Sequence, residues 1–282
     1  MESRRCQTLN ASTGTGEATP EELLALATAV ATEAAELLAD SVDRVDLRIE
    51  RKSSATDLVT EIDHAAESLI IQRLLRARPD DGILGEEGGG RPSRSGVRWV
   101  IDPIDGTTNF VYRLPGYAVS IAAEYNGTTV AGVVAVPGLG ERYEASLGGG
   151  ARRNGVPIAV SGATELSSAL VATGFSYQAS RRGHQGQIVA ALLPSIRDIR
   201  RMGAASVDLC AVACGRVDAY FEAELQAWDH GAGGLIACEA GAVVSDLWGG
   251  PASSAYLVAA SPALHRPLRE LLIAFGAADP LG

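Results

Sequence analysis

The amino-acid sequence predicts an α/β protein whose N-terminal half is α+β and whose C-terminal half is α/β. Residues 20–78 carry apolar side chains at helical spacing, and residues 97–155 carry short apolar runs joined by Asn-Gly turns. From residue 170 onward the two patterns alternate. Residues 1–19 are rich in Ser, Thr and Gly and lack a long apolar stretch, so we expect a flexible tail there. No long linker separates the halves at 20–160 and 161–282, so we expect them to pack tightly.

Two helices are predicted at the start of the N-terminal half. Thr19 and Glu22 have the spacing of a capping box, Pro20 occupies the first helical position, and apolar residues then recur at helical spacing to about residue 40. A second helix opens near Thr60 and ends before the proline at 79. Thr60 and Asp63 again fit a capping box, which accounts for the spacing of Asp63 without any catalytic role.

The rest of the chain predicts an antiparallel sheet followed by alternating strands and helices. Asn126-Gly127 between two apolar runs is the strongest short-range hairpin signal, and Asn154-Gly155 marks a second turn. The predicted strands are 97–102, 117–124, 129–136, 142–146, 170–173, 196–202, 217–222, 242–246 and 257–260, and the later helices are 184–193, 206–214, 229–240 and 262–275.

The charge balance argues against several functions. Lys and Arg number 24 against 34 Asp and Glu, which gives a net charge of −10 and a pI near 4.9. Such a chain lacks a basic face for nucleic acid or an anionic membrane, and at first sight its charge also disfavours a phosphate ligand. No 18-residue run is free of polar residues, and residues 1–19 lack the apolar stretch of a secretory signal. We therefore expect neither a membrane span nor export.

The four cysteines, Cys6, Cys210, Cys214 and Cys238, are expected to be reduced thiols of a cytoplasmic protein. The spacing of Cys210 and Cys214 places them one helical turn apart, but zinc sites usually combine closer cysteine pairs with histidine partners. Free cysteine otherwise behaves as a small buried hydrophobe, which is the interpretation we adopt.

The strongest chemical motif is Trp99-Val-Ile-Asp-Pro-Ile-Asp-Gly-Thr-Thr-Asn109. A strand delivers Asp102 to its end, Pro103 takes the chain out of the ladder, and Asp105 follows in a turn. Both carboxylates and the Ile104 carbonyl can then point at one spot, and oxygen-only ligands favour Mg²⁺, Mn²⁺ or Ca²⁺ over zinc. The alternative is an Asx-turn in which Asp105 and the following glycine are ordinary turn residues.

A second acidic segment, Gly85-Glu86-Glu87, follows the apolar pair at 83–84 and precedes three glycines. Adjacent side chains on an extended segment face opposite ways, so at most one of the two glutamates is a direct ligand. A solvated acidic loop is the alternative. The third segment opens a helix at Asp229, whose alternative role is that of an N-cap; His230 has no partner at metal spacing and is not expected to be a ligand.

Together these acid-bearing turns predict metal-assisted hydrolysis at a site assembled from distant segments. The Gly-x-Ser-x-Gly motif of serine hydrolases is missing from the sequence, and so are a Walker loop and a Gly-x-Gly-x-x-Gly motif after a strand. Nucleotide hydrolases of the Walker type and dinucleotide oxidoreductases are therefore disfavoured.

The same segments resemble the inositol monophosphatase family of magnesium-dependent, lithium-sensitive sugar and polyol phosphatases. The likeness runs from about Glu22 to Phe275 and includes Asp57-Leu-Val-Thr60 with Asp63, the 85–87 and 99–109 segments, the 200–208 and 218–222 segments, and Trp228-Asp229. The long motif that ends at Asn109 is highly specific. The resemblance implies an αβαβα layered sandwich of the inositol monophosphatase/fructose-1,6-bisphosphatase type, with the active site between the halves, and a homodimer.

The resemblance also implies roles for individual residues. Two or three Mg²⁺ ions would be held by Glu86, Asp102, Asp105, Asp229 and the Ile104 carbonyl. Catalysis would use Asp63 and Thr107 to polarise a water that Glu86 orients. The substrate would be bound by Glu86, Ile104, Asp105, Gly106, Thr107, Arg200, Gly203, Ala204, Ala205, Glu222 and Asp229.

The activity implied is hydrolysis of a phosphate monoester, first of all myo-inositol monophosphate, to the alcohol and phosphate. Histidinol phosphate, a bisphosphorylated nucleotide or fructose bisphosphate are alternative substrates, since one fold hosts all of these activities. A protein that binds nucleotides by stacking needs aromatic side chains around its pocket, and only 5% of the residues of this chain are aromatic. A non-catalytic regulatory protein on this fold is a further alternative, but none of the expected ligands is missing from the sequence.

Overall fold

The structure is a computed structural model, and it describes residues 18–42, 49–51, 58–88 and 90–279. The predicted tail, Cys6 and Asp57 lie outside the described residues, apart from Ala18 and Thr19. The described helices are α1 Pro20–Ser41, α2 Glu61–Ala77, α3 Thr107–Val111, α4 Ala179–Leu192, α5 Ala205–Ala213, α6 Ala227–Glu239 and α7 Pro262–Ala274.

The described strands form two large sheets and a small ribbon. They are β1 Ile49–Arg51, β2 Leu58–Thr60, β3 Gly82–Gly85, β4 Gly90–Arg91, β5 Val97–Asp105, β6 Ala118–Tyr125, β7 Thr128–Val136, β8 Glu141–Ser146, β9 Gly150–Arg153, β10 Val156–Pro157, β11 Leu170–Thr173, β12 Asp198–Arg200, β13 Ala219–Glu222, β14 Val243–Ser245 and β15 Leu257–Ala260.

In the part of the chain described, the first sheet has eight strands in the order β10-β9-β8-β7-β6-β5-β3-β4, and the second has five in the order β12-β11-β13-β15-β14. Strands β1 and β2 pair only with each other. The first sheet is antiparallel except where β3 runs parallel to β5, and the second is mixed. The expected α/β class is confirmed.

Three apolar cores stack these elements into five layers. One core joins α1 and α2 to one face of the first sheet, and the next joins the opposite face to α5, α6 and the second sheet. The third joins the far face of the second sheet to α4 and α7. Strand alternation divides the side chains between cores: Trp99 and Ile101 enter the first, whereas Val100 enters the second. The layers follow the αβαβα order that the resemblance implied.

Local signals in the sequence set several element ends as predicted. The capping box of α1 is present, with the Glu22 N–H donating to Thr19 Oγ1 at 3.2 Å and the Thr19 N–H donating to Glu22 Oε2 at 2.9 Å. Asn126 and Gly127 have φ of 49° and 83°, the left-handed pair that a tight hairpin between β6 and β7 requires. None of the described helices is long and apolar enough to cross a membrane.

The end of β5 differs from the prediction. The strand was expected to stop at Asp102, but it extends to Asp105, with its pairing to β6 interrupted between these two residues. Pro103 has no N–H to give to the ladder, and the Ile104 N–H donates to Asp102 Oδ1 at 3.0 Å instead. The ladder resumes at Asp105, opposite Ala118. The two carboxylates thus belong to one bulged strand.

Two other predicted elements are corrected in length. Helix α4 begins at Ala179 and not at residue 184. Apolar spacing could not predict this earlier start, because the buried residues of the helix are Gln185, Ile188 and Leu192 and its first turn carries no apolar pattern. Strand β12 has three residues, where seven were predicted. It lies at the edge of its sheet, so a short strand leaves few unpaired backbone groups exposed.

Helix α6 lies unusually close to its neighbours because glycine faces them. A Cβ at Gly132 of β7 would stand 2.9 Å from the Ala232 Cα of α6. On an adjacent face of the helix, a Cβ at Gly233 would stand 2.9 Å from the Leu209 Cβ of α5. Such contacts are too short for real Cβ atoms, so a side chain at Gly132 would push α6 away from the first sheet, and one at Gly233 would push α6 away from α5.

The neighbouring glycines of α6 offer a matched test of this packing. Gly233→Ala should lower the free energy of unfolding by ~1–3 kcal/mol through overpacking against Leu209. Gly234→Ala should raise it by ~0.5–1 kcal/mol, since alanine favours a helix and no described atom would lie within 4 Å of the new Cβ. Chemical unfolding of both variants measures the difference. Equal effects would contradict the close approach of α5 and α6.

Candidate active site

The bulged end of β5 leads into a turn that only glycine suits. Gly106 has φ of 83°, and a Cβ there would stand 3.0 Å from both the Ala204 Cβ and the Gly116 carbonyl oxygen. The chain then enters α3, where the Asn109 side-chain amide donates to the Gly116 oxygen at 2.6 Å and to the Met202 oxygen at 2.8 Å. Asn109 therefore fastens this turn to the 202–204 turn of the C-terminal half.

The acids predicted to act together are brought together. Asp102 is 2% exposed, and burial raises the pKa of its carboxyl well above the ordinary value. Repulsion from Glu86, Asp105, Asp229 and Asp63, in decreasing order, raises that pKa further. Carboxylates from β5, α2, α6 and the turn after β3 thus crowd the same buried region.

Glu86 and Glu87 face different surroundings, as expected for adjacent residues. Glu86 contributes to the repulsion at Asp102, and its N–H donates to the Ile101 oxygen at 3.3 Å. The Glu87 carboxylate lies 3.4 Å from Nδ1 of His64 on α2, and the Glu87 N–H donates to a carboxylate oxygen of Glu67 at 3.2 Å. Glu87 therefore anchors the turn to α2 while Glu86 faces the acids.

Asp105 links the two halves at the start of α5. Its Oδ2 accepts the Ser206 N–H at 2.7 Å. Burial raises the pKa of Asp105 to about 6, against the opposing effect of its hydrogen bonds from Ser206. A carboxylate that is both buried and tied down in this way has a fixed direction, which is the property needed in a ligand.

Asp229 is not the N-cap of α6, which was its alternative role. Gln226 is the N-cap, and Asp229 is the third helical residue of a capping box, its Oδ2 accepting the Gln226 N–H at 2.6 Å. Burial, followed by repulsion from Asp105, raises the Asp229 pKa well above its ordinary value. The residue caps its helix and also faces the acid cluster.

A cavity of about 330 Å³ opens in front of these acids, between the two halves. It brings together many of the predicted site residues, namely Asp105, Gly106, Gly203, Ala204, Ala205, Glu222 and Asp229. Glu86, Asp102, Ile104, Thr107 and Asp63 are not on its wall. Ile104 and Thr107 contact each other, because the Thr107 hydroxyl donates to the Ile104 carbonyl oxygen at 3.0 Å.

Glu222 lies at the C-terminal end of β13. Burial raises the pKa of its carboxyl to about 7, although the Tyr220 hydroxyl donates to Glu222 Oε2 and the nearby Arg201 also opposes the shift. The carboxylate fills the space beside Gly174, where any Cβ would overlap its oxygens. Glycine at 174 is therefore what makes room for the carboxylate on the cavity wall.

Arg200 does not stand where the sequence analysis expected it. Its guanidinium donates to Asp198 Oδ2 at 2.6 Å on an exposed flank, and the cavity wall carries Arg201 instead. Adjacent residues at the end of a strand point in opposite directions, so only one of the pair can face the site. The spacing of residues in the sequence could not predict which of the two arginines faces the cavity.

Sequence reasoning missed other residues of the cavity wall. Arg181 and Glu224 form an ion pair there, and Tyr177 is 47% exposed beside them. None belongs to a motif, and only the fold brings the start of α4 next to the segment after β13. Asn109 did carry a signal, since it closes the specific 99–109 motif, but its bond to the Met202 carbonyl joins residues too far apart in sequence to foresee.

The donor set suits a hard divalent cation. Its donors are carboxylate and carbonyl oxygens. Asp102 and Asp105 are buried, Asp229 is half-buried, and these acids repel one another. A cation would relieve that repulsion. Within the described ranges, no three His, Cys, Asp or Glu side chains converge as a finished metal cage. The acid side chains lie in one region of the described structure, but they do not converge on one point.

Comparisons with known proteins agree with this arrangement. A model of the inositol monophosphatase family matches residues 19–274. The inositol-1-monophosphatase of Mycobacterium leprae is 44% identical over 93% of this chain and 97% of its own length. The Nus factor SuhB of Pseudomonas aeruginosa is 42% identical over 81% of this chain and 87% of its own.

A solved structure extends the agreement to three dimensions. The Thermotoga maritima IMPase superposes with a TM-score of 0.84 at 32% identity, covering 93% of this chain and 100% of that one. Sequence, layer order and the placement of the acid-bearing turns point the same way. The chain belongs to the inositol monophosphatase family.

Proposed function

We propose that the chain is a Mg²⁺-dependent phosphoric monoester hydrolase whose first substrate is myo-inositol monophosphate. The observation that carries this is one cavity that has Asp105, Asp229 and Glu222 on its wall and Asp102 close to the first two. Asp102, Asp105 and Asp229 would hold cations, and Glu222 would bind hydroxyl groups. Lithium sensitivity and a homodimer belong to the same proposal and rest on the family resemblance, and a cytoplasmic location rests on the reduced cysteines that the sequence predicts.

Asp102, Asp105, Asp229, Glu86 and the Ile104 carbonyl are the groups that would hold Mg²⁺, two or three ions per subunit. Bound Mg²⁺ supplies charge stabilisation for the phosphoryl oxygens and lowers the pKa of a bound water. The hydrogen bond from Ser206 fixes the direction of Asp105, and that from Gln226 fixes Asp229. These donors are therefore oriented by the backbone at the first turns of two helices.

Thr107 and Asp63 are the groups proposed to orient the attacking water. The Thr107 hydroxyl donates a hydrogen bond to the Ile104 carbonyl, so the lone pairs of the Thr107 oxygen can accept a hydrogen bond from water. Asp63 is buried in the first turn of α2 and contributes to the repulsion at Asp102. The N–H groups of Gly106 and Thr107 are proposed to bind phosphate oxygens.

Glu222 is proposed to bind the alcohol. As a carboxylate it accepts hydrogen bonds only, so it suits ring hydroxyls, and the Tyr220 hydroxyl holds it in place. The Gly203-Ala204-Ala205 turn lines the same cavity with small groups and leaves room for a ring. Arg201, rather than Arg200, is the basic residue proposed on this side.

Other phosphate monoesters, including histidinol phosphate, remain alternative substrates of the same chemistry. A second function has a specific observation behind it, since some relatives bear the name Nus factor SuhB. That name belongs to those proteins, whereas the cavity and its acids are features of this chain. The phosphatase is the better supported proposal.

Phosphate release from a panel of monophosphates, with and without Mg²⁺, tests the proposal. We expect Mg²⁺-dependent turnover of inositol monophosphate, and Asp102→Asn should reduce kcat by more than ~100-fold because one cation ligand is lost. Asp40→Asn, the same change at an exposed residue of α1, should leave turnover unaltered.

A folding control accompanies that measurement. Without metal, Asp102→Asn should unfold at a temperature no lower than the wild type, because it removes a buried charge that its neighbours repel. Full activity in Asp102→Asn, or no turnover of any substrate by the wild type, would refute the proposal.

The raised pKa of Glu222 predicts a pH dependence of stability in the metal-free protein. In the folded state the pKa is about 7, above the ordinary value of 4.5, so folding favours the protonated form. This stabilisation is full below pH 4.5 and is lost as pH rises through about 7, with an amplitude of ~1–3 kcal/mol. Glu222→Gln should flatten that part of the stability curve, measured by urea unfolding in EDTA. An unchanged curve would show that Glu222 is not buried in this way.

A further inference from the structure

A second cavity, of about 480 Å³, adjoins the candidate active site. Arg181, Ala223 and Glu224 line both cavities, so the two share a wall. Most of the second lining is apolar, with Ile188 and Leu247 buried at its base and Trp248 and Tyr256 beside them. An apolar space next to a polar catalytic cavity suits a different part of the same ligand.

The wall between the two cavities is shared by a few residues. A small third space of about 10 Å³ is lined by Gly174, Glu222 and Tyr256, each of which also lines one or the other cavity. Part of the shared wall is the Arg181–Glu224 ion pair, whose side chains are 37% and 24% exposed. Two partly exposed side chains thus contribute to the boundary between the cavities.

Glu224 is held in an unusual backbone conformation. Its φ is 68°, in the left-handed region that a residue with a side chain rarely adopts. Such outliers persist where the surrounding structure fixes them, often at binding sites. Here the outlier follows Glu222 by two residues and lies where the two cavities meet.

Trp248 has an exposed side chain on a turn whose backbone is held in place. Its side chain is 65% exposed, while the backbone N–H of Trp248 donates to Asp246 Oδ1 at 2.8 Å and the backbone N–H of Gly250 donates to the same oxygen at 2.7 Å. The Arg269 Nε also donates to the Leu247 oxygen at 2.7 Å. The turn therefore presents the indole at a fixed point of the cavity wall, where an aromatic ring can pack against it.

We propose that the second cavity binds an aromatic ring carried by the alcohol of a phosphate monoester, packed against Trp248 and Tyr256. The inference rests on the proposed function. The phosphate would lie at the acid cluster, the alcohol would pass Glu222, and the ring would cross the Arg181–Glu224 pair. The reaction is unchanged: a water oxygen bonds to phosphorus, the bond from phosphorus to the ester oxygen breaks, and a proton from that water ends on the alcohol.

Kinetics with two substrates test this assignment. 4-Phenylbutyl phosphate carries a ring four carbons from the ester oxygen, long enough to leave the first cavity, and inositol monophosphate is the compact comparison. Trp248→Ala should raise KM for the phenylbutyl ester about five- to tenfold, the loss of roughly one stacking contact, and leave inositol monophosphate within about twofold. Trp248→Phe should restore most of the affinity. Leu139→Ala, which removes another exposed apolar side chain that lines neither cavity, should change neither KM.

A binding measurement separates failure of this inference from failure of the proposed function. Saturation-transfer NMR should detect 4-phenylbutanol on the wild-type protein without metal, with the ring protons saturated most, and the signal should fall in Trp248→Ala. That result supports the second cavity even if neither ester is hydrolysed. Equal signals in the two proteins, or equal KM changes for both substrates, would overturn it.

Discussion

The structure depends above all on the close approach of α6 to the first sheet. Gly132 of β7 has no side chain, so the backbone of Ala232 can lie against it, and Gly233 allows α5 to lie equally close on an adjacent face of the helix. Helix α6 belongs to the C-terminal half, and β7 to the N-terminal half. Since Asp229 sits in the first turn of α6, the depth at which this helix packs decides how near Asp229 comes to Asp102 and Asp105.

This packing holds together charges that would otherwise separate. Burial and mutual repulsion raise the pKa of Asp102 and Asp229 well above their ordinary values, so the acid cluster opposes the folded state when no cation is bound. The opposing forces are the apolar cores on both faces of the first sheet and the tie from Asn109 to the 202–204 turn. The favourable free energy of packing between the layers offsets the electrostatic cost of a site that is unfavourable by itself.

The sequence predicted what local patterns determine. Thr19 caps α1 and Asn126-Gly127 forms the hairpin turn, as predicted, whereas the bulge that keeps Asp102 and Asp105 on one strand was not predicted. The sequence could not choose between Arg200 and Arg201, because that choice depends on which way a three-residue edge strand faces. The Arg181–Glu224 pair was also beyond reach, since it joins a helix start to a distant loop through the fold alone.

Net charge and composition proved to be poor guides because both average over the whole chain. A charge of −10 seemed to disfavour a phosphate ligand, yet buried acids beside one cavity are what a cation-dependent phosphate site needs, and each Mg²⁺ adds two positive charges there. The low aromatic content likewise seemed to leave no ring-binding surface. The fold nevertheless places Tyr177, Trp248 and Tyr256 along two adjoining cavities. What matters for recognition is where the few aromatic residues lie, and the fold decides it: Tyr256, for example, is held in the third core, which α4 and α7 cover.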